Sequence, residues 1–210
     1  MRQNAVPSGL GARIQRVLEH AYSKQQSRTE MSNIRIFALL SNNLRSELQL
    51  EIARPQLDAH PLFVQLSIKF APTLRRIATT CIHYQSLAQG DVLFFPGEHA
   101  THMYFVVTGL LQYTRASSAG EVRDTEWVEG REDWIAEAVL WLDSWYHRGT
   151  LMASMESEVL LAHPKKFSDT VCLNPAAFDV VVSYAHRFAD RLSRMDESDW
   201  SDIYQGEELF

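Results

Sequence analysis

Cysteine is nearly absent from this sequence: Cys81 and Cys172 stand alone, with no CxxC pair and no nearby histidine spacing that suits zinc. That excludes a disulfide-stapled secreted fold and a zinc ribbon, and it points to a reducing, cytoplasmic setting. Long apolar runs are missing as well. The longest, Val92–Phe95 and Met103–Val107, fall far short of the roughly 20 residues that a membrane-spanning helix needs. No transmembrane segment is expected in this chain, and the opening Met1-Arg-Gln-Asn-Ala-Val-Pro-Ser lacks the apolar core of a secretory signal. No G-x-S-x-G, H-E-x-x-H or G-x-x-x-x-G-K-[ST] occurs, so no enzyme activity, metal site or cofactor is expected. Positive charge is in deficit: Lys and Arg total 20 against 26 Asp and Glu, a formal net charge of −6. Nucleic acid is a poor partner for such a surface, because binding phosphates requires clustered Lys and Arg.

What is present suits one folded domain with an appendage. The chain has 210 residues, of which 46% are hydrophobic and 22% charged, an ordinary globular balance far from that of disorder. Acidic residues gather after Met195, in Asp196, Glu197, Asp199, Asp202, Glu207 and Glu208. A solvated, disordered acidic tail over 196–210 is expected from that run, as is a disordered N-terminus over 1–11.

Between these ends the patterning changes once. Ala12 to Met31 reads as a polar helix with a thin apolar stripe of Ile14, Val17, Leu18 and Ala21 that needs a partner. Ser41 can cap a second helix, whose Leu44, Leu48 and Ile52 repeat every fourth residue, with a stop expected at Pro55. His60-Pro61 and Ala71-Pro72 each place a proline where a helix begins, the second covering Thr73 to Ile82. From Tyr84 onward strands take over. Turn pairs at Gly90-Asp91 and Pro96-Gly97 bracket a short run, and further strands read at Met103–Gly109, Leu110–Arg115, Glu121–Val128, Thr150–Met155 and Glu158–Ala162. Trp134 to Trp145 reads as helix-compatible, with three tryptophans on a packing face. A closing helical section starts at Pro164, uses Asn174-Pro175 as cap and first turn, and runs to about Met195.

This order of elements, with Gly90-Asp91-Val-Leu-Phe-Phe-Pro-Gly97-Glu98 and Met103-Tyr-Phe-Val-Val-Thr-Gly109-Leu-Leu111, resembles the cyclic nucleotide-binding domain family. The resemblance implies an α+β fold: an antiparallel β-roll, flanked by N-terminal linker helices and C-terminal helices, over residues 71–195. The glycines there would supply φ > 0 at the corners that roll the sheet. The family's phosphate-binding cassette corresponds to Ile135-Ala136-Glu137-Ala138-Val139-Leu140 and His147-Arg148-Gly149-Thr150-Leu151. The resemblance implies that Glu137 accepts a hydrogen bond from a ribose 2′-hydroxyl. It also implies that backbone N–H groups near Glu137 and Ala138 face a cyclic phosphate, which Arg148 neutralises. Arg187 and Arg191, on the last helix, become candidates to reach the base. Three departures accompany the match: Ala136 stands for the family's glycine, the stretch to Arg148 is longer, and the arginine position counted back from Thr150 falls on His147.

Leu39-Leu-Ser-Asn-Asn-Leu44-Arg-Ser-Glu-Leu48 with His60-Pro61-Leu62-Phe63 resembles the C-linker of hyperpolarisation-activated, cyclic-nucleotide-gated and ether-à-go-go-type potassium channels, which would span residues 12–70. The combined expectation is a cyclic AMP- or cyclic GMP-binding regulatory module of a channel-like protein, at the cytoplasmic face of a membrane and tetrameric through its N-terminal helices. The alternatives are a ligand-independent assembly domain, its pocket empty or filled by the acidic tail, and a kinase regulatory subunit. A catabolite-activator type of transcription factor would need a helix-turn-helix beyond the last helix.

Overall fold

The computed structural model describes residues 40–116, 122–130 and 133–205. The helix expected over Ala12–Met31 and the N-terminus over 1–11 lie outside them. By contacts the chain divides into two units, Met1–Arg45 and Ser46–Phe210.

Among the described residues three helices come first: α1 (Asn42–Leu57), α2 (Pro61–Lys69) and α3 (Ala71–Thr80). Ser41 caps α1, its Oγ accepting from Leu44 N–H at 3.3 Å. The helix does not stop at Pro55 but runs to Leu57. A proline so near the C-terminal end removes a single internal hydrogen bond, which the last turn survives. His60 caps α2, with its side chain accepting from Leu62 N–H.

Nine strands follow: β1 (Ile82–Leu87), β2 (Val92–Phe94), β3 (Met103–Thr108), β4 (Leu111–Ala116), β5 (Val122–Val128), β6 (Asp133–Ile135), β7 (Thr150–Ala153), β8 (Ser157–Ala162) and β9 (Ile203–Gln205). They form two antiparallel sheets, ordered β1-β8-β3-β6-β9 and β2-β7-β4-β5, which is the β-roll the sequence implied. Gly90, Gly97 and Gly109 take φ of 83°, 80° and 93° at the corners. Gly109 is doubly constrained, since a Cβ there would lie 2.7 Å from the Glu156 carbonyl oxygen.

Trp134 to Trp145 is not a helix. It holds strand β6, a single 3-10 turn (Glu137–Leu140) and an irregular run, so its tryptophans occupy three different settings. Helices α4 (Pro164–Val171) and α5 (Pro175–Arg194) close the domain, with Asn174 capping α5. Tyr184, Phe188 and Leu192 bury one face of α5, as their spacing suggests. No helix among the described residues is long and apolar enough to cross a membrane.

Two cores result. One lies inside the roll, around Phe94, Tyr113, Ile135, Leu151 and Val159. The other joins the roll to the helices, with Leu57, Phe63 and Leu66 packed with Trp134, Phe167 and Phe188. Helices α2 and α3 therefore belong to the same core as the roll.

The expectation of a solvated tail fails for residues 196–205. They form a 3-10 turn (Glu197–Asp199), bury Asp202 and Ile203, and add β9 to the edge of β6, pairing Ile135 with Ile203. Net acidity predicted solvation, but it does not register the apolar Trp200 and Ile203 that anchor the segment.

Candidate anion cradle

The cassette positions converge on one side chain, and it belongs to the tail. Asp202 is fully buried. Its Oδ1 accepts from the Trp145 indole N–H at 2.7 Å and from His147 Nδ1 at 3.0 Å. Its Oδ2 accepts from the backbone N–H groups of Arg148 at 2.6 Å and Gly149 at 3.2 Å, and from the Tyr113 hydroxyl at 2.9 Å. A carboxylate only accepts, so the imidazole proton sits on Nδ1. Main-chain bonds fix the same residue: Ala136 N–H donates to its carbonyl at 2.6 Å, and its own N–H donates to the Tyr113 hydroxyl at 3.2 Å. Burial, reinforced by the Asp202 charge, pushes the Tyr113 phenol above its usual range.

Local structure explains the convergence. Tyr113 points inward from β4, whose neighbour β7 begins at Thr150, paired with Thr114. Gly149 admits the Tyr113 ring at close range, because a Cβ would lie 2.5 Å from its edge. The run Trp145–His147 is held by bonds from Gly97 N–H to His147 O, from His147 N–H to Glu98 O and from Ala100 N–H to Trp145 O. His147 is therefore a buried residue, and its ring stacks on Phe94 at 3.5 Å between centroids.

Arg148 contributes its backbone to the cradle and turns its side chain away. The guanidinium lies 5.1 Å over the Trp145 ring and 4.8 Å over the Trp200 ring, and Nη1 reaches Glu197 Oε1 at 3.3 Å. It clamps the tail by cation–π contact and by its pairing with Glu197, instead of turning into the cradle. Arg115 adds a second clamp, its Nη1 donating to the carbonyls of Asp199 and Trp200 at 3.2 and 3.1 Å.

Glu137 also departs from its implied role. It is fully buried and faces the helical core, where it accepts from Trp134 Nε1 at 2.5 Å and Trp141 Nε1 at 3.0 Å. His60 Nε2 lies 3.2 Å from its Oε1. A carboxylate so occupied has no free direction toward a ribose hydroxyl. Burial alone would raise its pKa, but His60 and the two indoles more than reverse this and leave it below the usual glutamate range. Ala136, just before it, takes the left-handed conformation at φ 60°, so a residue with a Cβ does here what glycine does more easily. Ala138 is buried in the helical core. Arg187, its guanidinium 5.8 Å over the Tyr184 ring, and Arg191 both lie close enough to the Tyr184 phenol to lower its pKa, while burial and the Glu137 charge push it up.

The residues brought together are thus His147, the Arg148 and Gly149 amides and the Ala136 amide, while Glu137 and the Arg148 guanidinium point elsewhere. Tyr113, Trp145, Trp200 and Asp202 were not among the expected site residues. Trp200-Ser-Asp-Ile203 carries its only signal in the two apolar residues that flank an acidic one. Chemically the arrangement is an anion cradle built from N–H and O–H donors, and each bond to a buried charged group contributes about 1.5–3 kcal/mol, not additively. Among the described residues no cluster of His, Cys, Asp and Glu is placed to hold a metal ion.

Comparison with known proteins agrees with the fold. Residues 84–171 match the sequence profile of the family described as cyclic nucleotide-binding domain. No curated protein is similar enough in sequence to count as a relative. Among solved structures, the sensor domain of the transcriptional regulator DNR from Pseudomonas aeruginosa is similar at 22% identity and TM-score 0.53, over 71% of this chain and 97% of that one. The N-terminal domain of a transcriptional regulator from Streptomyces coelicolor A3(2) is similar at 22% identity and TM-score 0.50, over 68% of this chain and 96% of that one. At such identity the likeness is one of fold. Profile, sheet order and corner glycines agree on the fold: residues 84–171 are similar to the cyclic nucleotide-binding domain family and are folded as a β-roll.

Proposed function

We propose that this domain is a regulatory binding module in a self-occupied state, in which the chain's own Asp202 fills the anion cradle that would otherwise receive a ligand phosphate. The observation that carries this reading is the set of five donors on one buried carboxylate, contributed by Tyr113, Trp145, His147, Arg148 and Gly149. In this reading the module acts as a receptor, its polar groups spent on holding an anion.

A second reading, displacement of the tail by cyclic AMP or cyclic GMP, is favoured by one feature. The cradle presents two backbone amides on consecutive residues, chemistry that suits a phosphodiester as well as a carboxylate. A nucleotide would have to compete with a covalently tethered occupant of high effective concentration, and would find Glu137 turned away. As to the larger protein, the resemblance of Leu39–Leu48 and Phe63's neighbourhood to a channel linker supports a channel-side role and fourfold assembly. The two structural relatives come from transcriptional regulators, and their likeness supports the fold alone.

Isothermal titration of cyclic AMP and cyclic GMP into the full chain and into Asp202→Ala tests both readings. The self-occupied state predicts no heat and no thermal stabilisation of the wild-type chain at millimolar nucleotide. Micromolar binding by the wild-type chain, unchanged in Asp202→Ala, would contradict it. Binding gained only in Asp202→Ala supports self-occupation, whereas weak binding by the wild-type chain that tightens in Asp202→Ala supports displacement.

A further inference from the structure

Glu137 and His60 form a fully buried polar pair that the cradle itself does not use, and buried ionisable groups are seldom placed without a partner or a task. Their position is distinctive. Glu137 directly follows Ala136, whose left-handed backbone aims its N–H at the Asp202 carbonyl. His60 is the N-cap of α2, with Nδ1 accepting from Leu62 N–H at 3.2 Å, which leaves the ring proton on Nε2, facing Glu137 Oε1. One imidazole thus touches the start of a helix through one nitrogen and the residue beside the cradle through the other. The ring is further fixed by Trp134 at 4.4 Å, Phe63 at 5.2 Å and Tyr184 at 5.5 Å between centroids.

We infer that His60, acting through Glu137, is a positioning residue for the cradle: it holds the Ala136–Glu137 step in the conformation that retains the tail, and so couples tail occupancy to the N-terminus of α2. The inference rests on the self-occupied reading. Its physical basis is that a non-glycine residue at positive φ costs free energy and persists only where its surroundings fix it. Glu137, anchored by the Trp134 and Trp141 indole N–H groups and by its polar contact with His60, is the adjacent fixture. Conversely, loss of the Ala136–Asp202 bond frees the step to relax and slackens the contact that fixes the cap of α2.

Hydrogen exchange of the full-length chain, followed over residues 196–205 and over α2, tests this. His60→Asn keeps an acceptor at the capping position but falls short of Glu137, whereas His60→Gln restores the reach. Leu66→Ala, in the same core and with an apolar side chain that makes no hydrogen bond to Glu137, controls for general loss of stability. Loss of one polar contact to a buried carboxylate corresponds to about a tenfold faster opening. The expected result is that His60→Asn speeds tail exchange about tenfold relative to Leu66→Ala at matched global stability, and that His60→Gln returns it toward the wild-type rate. Equal tail exchange in His60→Asn and the control, with the wild-type tail protected, would overturn the inference and leave the self-occupied state standing. A wild-type tail that exchanges like free peptide would overturn both.

Discussion

His102 stands in a row of imidazoles, its ring 5.1 Å from His83 and 5.3 Å from His163, with Lys166 close enough to add positive charge. Burial, with smaller contributions from those cations, lowers its pKa from 6.5 to about 4. In that window the unfolded chain binds a proton at this position and the folded chain does not, so stability falls as pH drops from 6.5 toward 4. His102→Gln is expected to lessen the loss between pH 7 and pH 5, measured by urea unfolding at each pH; an undiminished loss would contradict it. At this scale the sequence was read least well. The corner glycines announce themselves, because only they take positive φ without strain. Glu137 and His147 occupy family positions, yet the direction of each side chain depends on partners more than 50 residues away: His60 for the first, Asp202 for the second.

Among the elements, the tail segment behaves as one unit built from three anchors. Trp200 stacks on Trp145 at 5.7 Å and lies under the Arg148 guanidinium, Asp202 fills the cradle, and Ile203 enters the roll interior beside β6. A short edge strand has little stability of its own, so these contacts should fail together. Trp200→Ala and Asp202→Asn are therefore expected to be less than additive in a double-mutant cycle by thermal unfolding, with a coupling of about 0.5–3 kcal/mol. Strict additivity would mean that the anchors are independent. Helices and strands were legible where periodicity and capping agree, as in α5 with its Asn174 cap and buried stripe. They were misread where spacing alone was used: the intervals between Trp134, Trp141 and Trp145 suit a helix, but two of these indoles serve Glu137 and the third serves Asp202.

For the molecule as a whole, two buried carboxylates organise the domain. Glu137 ties the cassette to the helices and Asp202 ties it to the tail, with Ala136 in contact with one and adjacent to the other. The fold class was readable from the glycine-spaced strands, because corner chemistry is local. The cradle's occupant was readable only as an alternative, since joining Tyr113 to Asp202 across 89 residues is a tertiary event with no local signature. The most direct test is the indole region of a nitrogen-15 proton spectrum, which separates the side-chain N–H signals of Trp127, Trp134, Trp141, Trp145 and Trp200 in the folded chain. An N–H bonded to a buried carboxylate is shifted by that charge. Asp202→Asn is predicted to move the Trp145 signal and leave those of Trp134 and Trp141, bound to Glu137, in place; a Trp145 signal that does not move would contradict the self-occupied cradle.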